Sequence, residues 1–139
     1  MSKFISSEEF LKQSKKVQET FKTWWKPSYG DFYIWDMTGF GHTHIASKSE
    51  KGLILPIKSN VWDEKKICIP LFRIDQLIEF IEDKTDGKID IEWGGINGYS
   101  INIAFKNGWV NTYEDDLLKA LWKVALKIVK EELAEEENE

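Results

Sequence analysis

The chain is poor in the residues on which chemistry most often depends: it holds one cysteine, one arginine and two histidines in 139 residues. Cys68, standing alone, excludes an internal disulfide, and an unpaired thiol fits a reducing compartment. No run approaches the roughly 20 consecutive apolar residues of a membrane-spanning helix. The start, Met1-Ser2-Lys3-Phe4-Ile5-Ser6, lacks the long apolar stretch of a secretory signal. These absences set the expectation of a cytoplasmic protein with no membrane partner. Arg73 is the sole arginine, so bidentate capture of phosphate is weakly provided for. The chain has no Gly-x-Ser-x-Gly elbow, no lysine-bearing phosphate loop, no internal repeat and no low-complexity linker.

What is present is apolar and aromatic. With 42% hydrophobic and 14% aromatic residues, the chain can build one continuous core, and its length suits one domain. The net charge of −5 conceals an asymmetry, because the six glutamates Glu131, Glu132, Glu135, Glu136, Glu137 and Glu139 leave the remainder near +1. Residues 1–30 carry six lysines against three acids, whereas residues 63–92 carry nine acids against five bases. The chain therefore divides into a single domain over residues 1–130 and a disordered acidic tail over 131–139, and a charged partner would meet faces of different sign.

Ser6 and Glu9 have capping-box spacing, and Phe10, Val17, Phe21 and Trp24 recur at helical intervals, predicting one helix that Pro27 ends. In that helix Trp24 faces inward and Trp25, about 100° round the axis, lies at the edge or outside. Phe32–Met37, His42–Ala46 and Gly52–Ile57 read as an antiparallel meander, and Lys66–Ile69 as a short strand closed by Pro70. Ser59–Glu64 reads as an exposed loop. Ile74, Leu77, Ile78 and Ile81 predict a helix ending near Asp86-Gly87. Ile89, Ile91 and Trp93, then Tyr99, Ile101, Ile103 and Phe105, alternate as a hairpin with one apolar face, with Trp109–Asn111 as a third strand. Thr112 starts a last helix with Leu118, Leu121, Trp122, Ala125, Ile128 and Val129 buried. The fold class is α+β: an antiparallel sheet, meander plus hairpin, covered by about three helices.

Each polar cluster has a structural explanation. His42 and His44 share a strand face, the spacing of a chelating pair, but Asp31 or Asp36 would have to complete the set and no second motif supports it. Glu114, Asp115 and Asp116 sit where carboxylates offset a helix dipole. Cys68 lies in an apolar strand. Gly94-Gly95-Ile96-Asn97-Gly98 and Gly39-Phe40-Gly41 join strands and serve turns. No catalytic residue, no metal and no cofactor are expected.

The seven tryptophans exceed what a core of this size needs, which places some at a binding surface. The candidate partner-binding residues are Trp25 and Trp62 with the acidic Glu79, Glu82 and Asp83.

At Trp24-Trp25-Lys26-Pro27-Ser28-Tyr29-Gly30-Asp31-Phe32, then Ile69-Pro70-Leu71-Phe72 and Gln76-Leu77-Ile78-Glu79-Phe80-Ile81, the chain resembles small phage and prophage proteins of low-GC Gram-positive bacteria. Those proteins carry a Trp-x-Pro-x-x-Gly-Asp element, and an Ile-Pro-Leu-Leu-Thr segment leads into a Gln-Leu-Ile-Glu-Phe-Ile helix. Here Phe72-Arg73 replaces Leu-Thr, which weakens the expected helix cap. The resemblance covers the first two-thirds of the chain and brings no catalytic residues. It implies an accessory protein of the class that includes inhibitors of host defence, such as anti-CRISPR proteins.

The leading expectation is a non-enzymatic phage protein, acting in the host cytoplasm, that binds and inhibits a bacterial host protein such as a defence nuclease. An acidic mimic of nucleic acid is one route, through Asp63, Glu64, Glu79, Glu82, Asp83, Asp86, Asp90 and Glu92. The alternative is a binder that sequesters a small ligand or nucleotide signal between Trp35, Tyr99 and Trp109. An enzyme built on His42, His44 and a nearby acid ranks third. Direct nucleic-acid binding by the lysines of the first helix is disfavoured, because they make an ordinary solvated face. Homo-oligomer formation stays open.

Overall fold

Two serines begin the N-terminal helical region where the periodicity predicts one. In the computed structural model, which describes residues 3–26, 31–35, 43–45, 47–49, 52–54, 68–85, 89–105 and 108–137, Ser6 Oγ accepts the Glu9 N–H at 3.2 Å and α1 spans Ser7–Leu11. Ser14 Oγ then accepts the Val17 N–H at 3.3 Å and α2 spans Lys15–Trp24. A second cap wins because a serine oxygen competes for backbone donors better than a helix interior can use it. The Gln18 amide seals the break by donating to the carbonyls of Leu11 and Gln13, at 3.3 and 2.7 Å. The continuous helix is thus corrected to two.

The break also corrects the orientation of the tryptophan pair. Val17 and Phe21 are buried on α2, and the next residue in that i, i+4 row is Trp25, not Trp24. Trp25 is 1% exposed, and Asp31, itself buried, accepts its indole N–H at 3.1 Å. Trp24 is half-buried, with its ring 6.1 Å from that of Phe72.

Strand β1 (Phe32–Trp35) lies between β2 (Thr43–Ile45) and β5 (Cys68–Pro70), antiparallel to both. Phe32 stands opposite Ile45, and Ile34 opposite Ile69. The expected meander is therefore corrected: β3 (Ser47–Ser49) and β4 (Gly52–Ile54) form a ladder of their own, and β5 takes the second edge of β1. Cys68 and Ile69 are buried there, and this burial of apolar surface stabilises β5 in that place. Pro70, lacking an N–H, is tolerated at the end of an outer strand.

The chain packs as two compact units, Ser6–Phe72 and Met1–Ile5 with Arg73–Glu139. In the first, Phe10, Phe21 and Phe72 form a ring cluster with centroids 6.4 and 5.7 Å apart, and the Trp25 and Tyr33 rings lie 6.5 Å apart.

In the second unit α3 spans Ile74–Thr85, as predicted. Arg73 offers no side-chain oxygen as a cap, and Gln76 Oε1 instead accepts the Arg73 N–H at 2.9 Å. Strands β6 (Asp90–Trp93), β7 (Tyr99–Phe105) and β8 (Gly108–Glu114) make an antiparallel sheet in that order. Helix α4 (Leu117–Glu137) packs on α3, β7 and β8, with Leu118, Leu121, Trp122, Ala125, Ile128 and Val129 buried as expected.

Two boundaries move. Thr112 belongs to β8, and Asp116 caps α4 by accepting the Lys119 N–H at 3.2 Å. The helix also continues to Glu137 through the segment expected to be disordered. Extension adds one hydrogen bond per residue once the helix is nucleated on a packed stripe, and Lys84 on α3 holds Glu132 at 3.5 Å. The α+β class with antiparallel sheets is as expected.

Candidate partner-binding surface

Strand β6 alternates Asp90 and Glu92 with Ile91 and Trp93, so acids occupy one face and apolar residues the other. On a central strand that apolar face would disappear into the core, as Ile101 and Ile103 do on β7. On the outer strand of its sheet, all four β6 residues are exposed. Trp93 is 62% exposed and Ile91 36%, while Ile96 at the tip of the turn is fully exposed.

The turn that presents these residues is rigidly specified. A 3₁₀ turn, Gly95–Asn97, joins β6 to β7, with Gly94 N–H donating to Gly98 O at 2.8 Å and Gly98 N–H to Gly95 O at 3.0 Å. Gly98 has φ +75°, and a Cβ there would lie 2.7 Å from Glu114 C and 2.8 Å from Asp115 Cα. Only glycine satisfies both the positive φ and this approach to the backbone that leads into α4. Glu114 is itself held by an ion pair with Lys123. Tyr99, opposite Trp93 in the ladder, supports the indole, with ring centroids 4.8 Å apart at 53°. The result is an exposed aromatic with a fixed backbone and a ring neighbour, the arrangement that lowers the entropy cost of binding.

The residues proposed from sequence fare unevenly. Trp25 is corrected: it is core, and its indole is satisfied by a buried carboxylate. Trp62 lies outside the described residues. Glu79, Glu82 and Asp83 are exposed on α3, and Asp90 and Glu92 are exposed on β6. Of the remaining acids considered for mimicry, Asp63, Glu64 and Asp86 lie outside the described residues, as does His42. Only the backbone of His44 is described, opposite Tyr33 in the β1–β2 ladder. The side chains of Trp35 and Trp109, considered for a small ligand, are likewise outside the description. Glu114, Asp115 and Asp116 divide between the end of β8 and the cap of α4. Ile96 and the exposure of Trp93 were missed. The available signal was a large apolar residue inside a glycine-rich turn, where geometry needs none.

Two ionisable groups among the described residues are perturbed. Burial, with a smaller contribution from Cys68, raises the Tyr33 phenol above its ordinary value. The Arg73 guanidinium, bonded to Asp75 at 3.0 Å, holds that carboxyl below the usual range. Among the described residues no group of three His, Cys, Asp or Glu side chains could hold a metal ion, and no helix is long and apolar enough to cross a membrane.

No family model matches the chain, and no curated protein or solved structure does.

Proposed function

We propose that this chain is a non-enzymatic binding protein that docks on a bacterial host protein through the surface of Trp93, Ile91 and Ile96 and thereby inhibits it. The single observation that carries the reading is the exposure of Trp93 on a hairpin whose turn and cross-strand tyrosine hold it in place. An indole presented to water in this way contributes nothing to the core, and tryptophan is enriched among the residues that dominate protein interfaces. The phage resemblance supplies the context of the target, a host protein of the bacterial cytoplasm, with a defence nuclease as one member of that class.

The test compares the native chain with Trp93→Ala and Ile96→Ser as baits in lysate of a low-GC Gram-positive bacterium. A single host protein held by the native chain should fall at least tenfold with either variant, and its activity should be inhibited by the native chain alone. A hot-spot tryptophan costs about 2 kcal/mol or more on truncation, or about 30-fold in affinity. Equal recovery by all three baits would falsify the reading.

A further inference from the structure

Resting on that reading, we infer that the partner binds by strand addition: an extended segment carrying Lys or Arg alternately with apolar residues pairs with the open edge of β6. Among the described residues, the outer position of β6 leaves one of its two edges without a ladder partner. The Gly94–Gly98 hydrogen bond sets the phase of the hairpin. Antiparallel ladders alternate bonded and non-bonded pairs, so Glu92 with Ser100 and Asp90 with Asn102 bond to each other across β6 and β7. Ile91 and Trp93 therefore turn their N–H and C=O groups to the open edge. The residues with exposed apolar side chains are the same ones that offer backbone donors and acceptors, which is the requirement for recognising an added strand.

Charge decides the occupant. Natural edges are blunted by lysine, proline or a bulge, and Asp90-Ile91-Glu92-Trp93 contains neither lysine nor proline. A second copy is disfavoured by its own acids. Registers that pair Ile91 with itself or with Trp93 set Asp90 opposite Glu92, or Glu92 opposite Glu92, and like charges directly opposite are destabilising. A segment with basic residues at those cross-strand positions turns each repulsion into attraction. The two acids thus guard the edge against self-association and select a basic partner.

The probe is the synthetic peptide Thr-Lys-Val-Lys-Val-Lys-Thr, with glutamate-for-lysine and backbone N-methylated versions as controls. Saturating lysine peptide should slow amide hydrogen exchange at Ile91 and Trp93 at least tenfold. The glutamate and N-methylated peptides should bind at least tenfold more weakly. Ile91→Pro should abolish binding, because the N–H it removes lies outside the β6–β7 ladder; the N-methylated peptide makes the same discrimination should that variant fail to fold. No binding at millimolar peptide, binding without amide protection, or equal binding of the glutamate peptide overturns strand addition. A dimer in sedimentation that Ile91→Pro dissociates overturns the choice of occupant in favour of a second copy. With the host protein as ligand, recovery by Ile91→Pro but not by Trp93→Ala sinks strand addition and leaves the docking surface standing. Recovery by both sinks both.

Discussion

Trp25 and Trp93 occupy similar stretches of sequence, each close to charged residues and followed within a few positions by glycine. One is 1% exposed and the other 62%. Trp25 continues the Val17–Phe21 row of α2, lies beside Tyr33 and donates its N–H to a buried carboxylate. Trp93 ends an outer strand and, among the described residues, has Tyr99 as its ring neighbour. An indole needs both an apolar enclosure and a partner for its N–H before burial is favourable. The N-terminal unit supplies both to Trp25, whereas the hairpin leaves Trp93 without an apolar enclosure. One tryptophan therefore serves stability and the other stays exposed.

The largest test of that contrast is Trp25→Ala, which should destabilise the chain by about 3–5 kcal/mol in denaturant titration. A loss below about 1 kcal/mol would mean that the indole is not core. Next comes the turn that presents Trp93. Gly98→Ala combines positive φ with a backbone clash and should cost roughly 2–3 kcal/mol, whereas Gly95→Ala, at φ +63° with open space around it, should cost about 1 kcal/mol. Equal thermal shifts for the two would contradict the close approach to Glu114.

The Tyr33 phenol beside Trp25 predicts an alkaline effect. Its folded pKa is raised above the ordinary 10.0, so its contribution is complete below that value and is lost as pH rises through it, when the unfolded chain ionises first. Unfolding titrations between pH 9 and 11 should show a steeper loss for the native chain than for Tyr33→Phe. By contrast, Trp93→Ala should change stability by no more than about 0.5 kcal/mol, measured in the same titration as Trp25→Ala. The smallest effect belongs to Asp75, whose folded pKa is depressed by Arg73. Its contribution is present above the unfolded carboxylate value and lost as pH falls through the folded one. Asp75 itself is exposed and its pair is screened by salt, so Asp75→Asn should cost under about 0.5 kcal/mol at neutral pH, with no difference from the native chain in strong acid.

Helix α3, helix α4 and the β6–β7–β8 hairpins were legible because each depends on neighbours within a few residues. The i, i+4 row from Leu77 to Ile81, the alternation from Tyr99 to Ile103 and the glycines at 94, 95 and 98 all act locally. The break at Ser14 was legible in principle, since the serine stands three residues before Val17 just as Ser6 stands before Glu9. The continuing apolar periodicity masked it, and the error carried over to the choice between Trp24 and Trp25. Gln76 Oε1 on the Arg73 N–H is the backward half of a capping box, from the third helical residue to the N-cap, and it escapes notice because Arg73 lacks the side-chain oxygen that supplies the forward half. The exposure of β6 was illegible for a different reason: alternation assigns a strand two faces but does not say whether a neighbour lies beyond its edge.

The sequence alone determined that this is an α+β chain with antiparallel hairpins, amphipathic helices and an asymmetric distribution of charge. Those properties follow from periodicity, turn residues and composition, which operate over a few residues at a time. Tertiary structure decided the rest: which tryptophan is enclosed, that β5 takes the second edge of β1 while β4 pairs with β3, and that β6 is the outermost described strand of its sheet. These outcomes rest on competition between segments far apart in the chain for the same buried surface and the same backbone hydrogen bonds, and that competition is resolved only when the segments meet.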